Sequence, residues 1–193
     1  MLRSPMDADA LEDISARWLA SLAHDFKDFL HVVADDLDLD DGLRERVITA
    51  VLYTLAPGDV VPDTMGAIGY LDDALGLRVA LDAVREEAPA RFESYRDRIP
   101  EMVASVEGDD LAAWREALGD VYEPFRQRVF SPDRNVVKGK RARDLMADPD
   151  GAGWLDDEVS EAALKMDFKD AAVAAAARKA VTVIPVFQQK LRR

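Results

Sequence analysis

The chain has 193 residues, of which 49% are hydrophobic and 33% charged, with no cysteine and a formal net charge of -13. It is too apolar for a disordered segment, too charged for a membrane bundle, and long enough to bury a core of its own. The lack of cysteine excludes a disulfide framework, a thiolate zinc site and a cysteine nucleophile. It fits a reducing compartment, with the cytoplasm as the expected location.

Residues 1–10 lack the apolar run of an export signal. The most apolar stretch, residues 171–187, carries Arg178 and Lys179 near its middle, so no membrane span is expected. The charge is unevenly laid out. Residues 134–143 hold five basic side chains and no acid, and residues 178–193 hold another five and no acid. The remaining body, 15 basic against 38 acidic residues, repels nucleic acid and anionic lipid at long range.

In chain order, the first helix is predicted over residues 9–37. Leu11, Ile14, Trp18, Leu22, Phe26, Phe29 and Val33 recur every three or four positions and form one buried stripe. A second helix covers 43–55 and stops at Ala56-Pro57-Gly58. A third runs from 64 to 88, before Pro89. The next, 90–106, is kinked or divided by Pro100. Asp109 or Asp110 then caps a helix carrying Leu111, Trp114, Leu118, Val121, Phe125 and Val129, with a kink expected at Pro124. Residues 134–153 read as the longest irregular connection. The last helix starts near Asp156 or Asp157 and runs to 191. The expected architecture is an all-α irregular bundle of five to seven helices in a single domain. Residues 1–155 form its body, with a helical hairpin at 43–88, and 156–193 form a long C-terminal helix packed on the same domain.

The segment from Thr54 to Asp73 contains Pro57, Asp59, Pro62, Asp63, Gly69, Tyr70, Asp72 and Asp73 in the order Pro-x-Asp-x-x-Pro-Asp, then Gly-Tyr-x-Asp-Asp. In this it resembles the YkvA-like family, domain of unknown function 1232, over residues 43–84. Gly58, Thr64 and Gly66 depart from the family pattern, which is usually apolar or carries another proline there. The resemblance implies a helical hairpin and no settled activity. Physically, Pro57 ends one helix, Asp59 serves the turn, and Asp63 after Pro62 opens the next helix. Gly69 suits a close helix contact, and the Tyr70 hydroxyl needs a partner. The adjacent carboxylates of Asp72 and Asp73 repel and require compensation. One reading pairs them with Arg44, Arg46, Arg78 or the Pro57–Pro62 turn. The other gathers Asp59, Asp63, Asp72 and Asp73 around a divalent cation, the one cofactor the sequence suggests. The structural reading is preferred, because acids beside helix turns usually serve caps and ion pairs.

Other constellations carry less. His24, Asp28 and His31 share a helix face, but that face is opposite the apolar stripe and points to water. A calcium loop from Asp148 fails because Ala152 and Val159 stand where ligands are required. No nucleophile elbow, zinc-protease helix, phosphate loop or dinucleotide fingerprint is present. Arg134, Lys138, Lys140, Arg141 and Arg143 form an expected docking patch for an acidic or phosphorylated partner, extended at the C-terminus by Lys190, Arg192 and Arg193. The last helix carries a 4-3 seam of Val159, Ala163, Met166, Asp170, Val173, Ala177, Ala180, Ile184, Phe187 and Leu191. The functional expectation is a non-catalytic interaction or adaptor protein with a protein partner and no nucleic acid. The alternatives are a divalent-metal site at the acidic motif and peripheral membrane contact through the basic C-terminus.

Overall fold

The computed structural model describes residues 5–56 and 60–192. Helix α1 (Pro5–Phe29) buries Leu11, Ile14, Trp18, Leu22, Phe26 and Phe29 as their spacing predicts. It then widens into a π-helical turn, Leu30–Ala34, which buries Val33. Asp36 fixes the exit by accepting hydrogen bonds from Tyr95 Oη at 2.5 Å and Arg91 Nε at 2.9 Å. Burial alone would raise the Asp36 carboxyl; Tyr95, the Asp38 amide and Arg91 bring it below its ordinary value. Helix α2 (Asp41–Leu55) starts where the Asp40 carboxylate accepts from the Leu43 amide at 3.0 Å.

The helix expected from residue 64 begins instead as a 3₁₀ segment, Asp63–Tyr70, and becomes α3 (Leu71–Glu87) only afterwards. The interruption is at Gly66, whose φ of 77° is open to glycine and strained for other residues. Every residue of α3 from Leu71 to Val84 is buried. A helix covered on all sides must lie inside its bundle rather than on its surface.

Pro100 divides the next predicted helix into α4 (Pro89–Ser94) and α5 (Pro100–Glu107), each opening with a proline where no intrahelical amide is required. Helices α6 (Asp109–Leu118) and α7 (Tyr122–Val129) are separated at Gly119, with φ 56°, and not at Pro124. Pro124 falls in the first turn of α7, where its missing N–H costs nothing.

The connection predicted as irregular over 134–153 is shorter than expected. Lys138 and Gly139, both at positive φ, close a two-residue turn between Val137 and Lys140. Helix α8 (Ala142–Ala147) follows, and α9 (Gly151–Lys165) starts before the position read from the sequence. The single C-terminal helix expected to reach 191 is also divided, into α9, α10 (Asp170–Ala177) and α11 (Ile184–Leu191), with a 3₁₀ turn at Ala180–Val183. At the first break Lys169 is extended and Phe168 packs on the Tyr70 ring with centroids 5.2 Å apart, so a tertiary contact replaces helical continuity. Most of the 4-3 seam is buried, but Asp170 is exposed and the seam is spread over three segments. These segments pack against the body: α9 and α10 lie on α1, and α11 lies on α6 and α7.

The described residues are thus all-α apart from one isolated bridge. The helices number more than the five to seven expected because the long predicted ones are segmented. Among the described residues no helix is long and apolar enough to cross a membrane. Phe187 of α11 is fully buried, with its ring 5.1 Å from that of Phe125 in an edge-on contact. Phe187→Ala is expected to lower unfolding free energy by about 3–5 kcal/mol in a urea titration. A loss below about 1 kcal/mol would mean that α11 is not part of the cooperative core.

Candidate functional site

The acidic motif is built where α2 ends and α3 begins. Asp72 lies in the first turn of α3 and is completely buried. Its Oδ2 accepts three hydrogen bonds, from Tyr53 Oη at 2.6 Å, the Val60 amide at 2.8 Å and the Val61 amide at 3.0 Å. Tyr53 Oη also accepts from the Val60 amide at 3.4 Å. One carboxylate oxygen therefore joins the last turn of α2, the connecting loop and the start of α3. Oδ1 has no hydrogen-bond partner among the described residues.

Two opposed effects set the Asp72 carboxyl. Burial penalises the charged form and pushes it up to about 7, while Tyr53 and the amides of Val61 and Val60 restrain the rise. The Tyr53 side chain is itself held firmly. Its ring meets the Phe125 edge at 6.0 Å, lies under the Arg128 guanidinium at 5.2 Å, and faces Gly76, where a Cβ would come within 3.3 Å.

Gly69 does not serve contact between two helices, as the sequence suggested. A Cβ there would fall 2.5 Å from the Pro62 carbonyl oxygen and 2.7 Å from the Asp63 Cα. The 3₁₀ segment folds back on its own start, and only glycine leaves room. Tyr70 is half-buried beneath Phe168. Asp73 is buried, whereas Pro62 and Asp63 are exposed at the opposite end of the 3₁₀ segment. Pro57 and Asp59 lie outside the described residues.

Residues 46–77 match a family described as protein of unknown function, DUF1232. The match covers most of α2, the loop and the start of α3, including Tyr53, Gly69 and Asp72. No curated protein matches the chain, and no solved structure does.

The arginines expected to compensate the DUF1232 acids are engaged elsewhere. Arg46 pairs with Glu87, Arg44 donates to the Ala34 carbonyl at 3.3 Å, and Arg78 pairs with Asp25 at 2.5 Å. Asp72 is answered by Tyr53 and by two backbone amides of the turn before Pro62, the other partner expected from the sequence. Among the described residues, no group of three or more His, Asp or Glu is placed to hold a metal ion. Asp63 is exposed at the start of the 3₁₀ segment, whereas Asp72 is wholly buried in the first turn of α3. His24 pairs with Asp28 at 3.1 Å, while His31 turns to Asp35 and Asp156, so the first-helix constellation does not converge.

The basic patch is largely answered by acids of the body. Lys138 pairs with Glu158, Lys140 with Asp148 at 3.1 Å, Arg141 with Asp133 at 3.7 Å and Arg143 with Glu45 at 3.3 Å. Arg192 pairs with Asp120 at 2.9 Å. Arg134 and Lys190 are exposed with no ion pair among the described residues, and Arg193 lies outside them. The run is basic in sequence but close to neutral in space.

Sequence reasoning missed Tyr53 and Asp25. Tyr53 offered a signal, since a tyrosine in the last buried turn before a Pro-Gly loop needs an acceptor for its hydroxyl. Asp25 offered none, because its partner is far away in the chain.

Two outcomes are expected of this site. The folded chain keeps the Asp72 proton up to about pH 7, whereas the unfolded chain releases it near about pH 3.9. The folded state therefore holds the extra proton across this window, and raising pH through it removes stability at up to about 1.4 kcal/mol per pH unit. Asp72→Asn is expected to gain stability relative to wild type between pH 5 and pH 7, and urea unfolding of both proteins at each pH tests this. A constant difference across the window would contradict it. Separately, Gly69→Ala is expected to cost about 1–3 kcal/mol through overpacking. Gly153→Ala, where a Cβ meets nothing within 4 Å, is expected to be neutral or stabilising by up to about 1 kcal/mol.

Proposed function

We propose that this chain is a non-catalytic helical interaction protein, and that its DUF1232 segment is the structural clamp of the fold rather than an active centre. The observation that carries the reading is the position of Asp72. A carboxylate wholly buried, with one oxygen bonded by Tyr53, Val60 and Val61, is occupied in holding a loop between two helices and is out of reach of a substrate. A catalytic or metal-binding carboxylate needs an open approach and partners that converge with it. What the chain offers to the outside is a strongly acidic surface with a cleft beside α1, which suits recognition of another protein.

Two measurements test the proposal. Titration calorimetry of the full chain with Mg²⁺, Mn²⁺, Ca²⁺ and Zn²⁺ is expected to give no saturable heat. Saturable binding that is lost on Asp73→Asn would favour the metal reading instead. Cross-linking in the native cell is expected to trap a defined protein partner, and mixing the purified components is expected to reconstitute a stoichiometric complex. A folded chain that forms no such complex would overturn the interaction reading.

A further inference from the structure

Between α1 and α5 the surface opens into a cleft of about 720 Å³. Trp18 and Ala20 stand on the α1 side and Ala104 on the α5 side, Gly108–Asp110 line it at the start of α6, and Arg78 of α3 reaches it from within. A smaller pocket of about 170 Å³ continues it past Glu101, toward His24 and Arg98. The lining runs along α1 from Arg17 to Asp28, about 16 Å at 1.5 Å per residue. The exposed wall residues Ala20 and Ala104 are small, which leaves the space open.

The charges of the larger cleft are unequally satisfied. Arg17 holds both oxygens of Asp110 at 2.7 Å. Arg78 holds Asp25 at 2.5 Å and donates to the Ala74 carbonyl at 2.9 Å. Glu101 and Asp109 are exposed in the lining and have no ion pair among the described residues. The charge left over is negative, within a chain of net charge -13. Such a surface attracts cations at long range and disfavours an anion.

The inner wall of the cleft is closed. Trp18 and Arg78 are each only 2% exposed, the Arg78 guanidinium lies 4.5 Å over the Trp18 ring, and both residues line the cleft. Trp18 Nε1 and Arg78 Nε have no hydrogen-bond partner among the described residues, but both atoms are buried and offer nothing to an occupant. Recognition therefore rests on charge and length. A single amine would answer Glu101 or Asp109 and leave most of a lining about 16 Å long unfilled. A carboxylate or phosphate would be repelled by the two unpaired acids. A peptide bearing lysine or arginine spans the lining and supplies cations.

We propose that the α1–α5 cleft docks a lysine- or arginine-bearing peptide segment of a partner protein, a proposal that rests on the interaction-protein reading above. The segment lies along α1, and its basic side chains meet Glu101 and Asp109.

The test uses the full chain and a labelled probe, acetyl-Ala-Lys-Ala-Lys-Ala-Lys-amide, beside the same peptide with acetylated lysines. Fluorescence anisotropy at physiological salt is expected to show saturable binding of the first and at least ten-fold weaker binding of the second. Ala20→Trp, which fills the cleft from an exposed helix position, is expected to weaken binding at least ten-fold; Ala104→Arg serves the same purpose if that variant does not fold. E101Q/D109N is expected to weaken it equally. E116Q/E123Q removes the same charge outside the cleft and is expected to change binding less than two-fold. No saturable binding, binding unaffected by a folded cleft-filling variant, or equal losses in the two charge variants would overturn the proposal, the last by revealing diffuse attraction. If the peptide fails while the reconstituted complex still forms, the docking site is wrong and the interaction reading stands. If no complex forms, the interaction reading itself has failed.

Discussion

The structure depends on one constraint: α3 is buried on every side from Leu71 to Val84 and yet carries Asp72, Asp73, Arg78 and Asp82 within that span. Ionisable groups are rarely buried without partners, because removing them from water costs several kcal/mol each. The answers come from different elements. Asp72 is bonded by the end of α2 and the following loop, Arg78 by Asp25 of α1, and Asp82 by Arg115 of α6 at 2.8 Å and Arg85 of its own helix at 2.6 Å. The polar groups of α3 thus fix which neighbours surround it and in what register.

The Arg78–Asp25 pair illustrates how much such a contact contributes. Burial pulls the Arg78 guanidinium below its ordinary value and Asp25 holds it up. Ser21 adds a hydrogen bond to the same Asp25 oxygen at 2.8 Å. The net stabilisation of a buried pair over apolar residues of similar volume is small, but removing one partner costs about 3–5 kcal/mol because the other is stranded. Its main effect is to determine which face of α1 meets α3. The same contact brings Arg78 beside Trp18, which in turn stacks on Trp114 at 6.5 Å. The inner lining of the α1–α5 cleft is therefore a consequence of how α3 was neutralised.

The DUF1232 segment belongs to this scheme. Its glycine permits a 3₁₀ segment to close on its own start, its aspartate secures the loop, and its tyrosine receives Phe168 across the break between α9 and α10. The clamp sets the entry of α3 into the bundle, and everything packed around α3 follows from that entry. Surface charge plays a smaller part. Most of the basic run at 134–143 is spent in exposed pairs with neighbouring acids, each worth about 0–1 kcal/mol, so it leaves little single-signed surface.

The helical class, the buried stripe of α1, the stop after α2 and the division at Pro100 are all legible in the residues themselves. These follow from 3.6-residue periodicity and from proline and glycine, whose effects are local and need no knowledge of neighbours. The sequence also located the acidic motif, favoured a structural role for it and offered the turn before Pro62 as a partner, which Val60 and Val61 bear out for Asp72, while the arginines it offered beside that turn are engaged elsewhere. Only the folded arrangement shows that Tyr53 joins that turn on Asp72, that Arg78 turns to Asp25, and that the C-terminal helix breaks where Phe168 finds Tyr70. Partners separated by tens of residues are chosen by packing, and a contact formed in the core outweighs the few tenths of a kcal/mol per residue by which helical propensity distinguishes continuation from interruption.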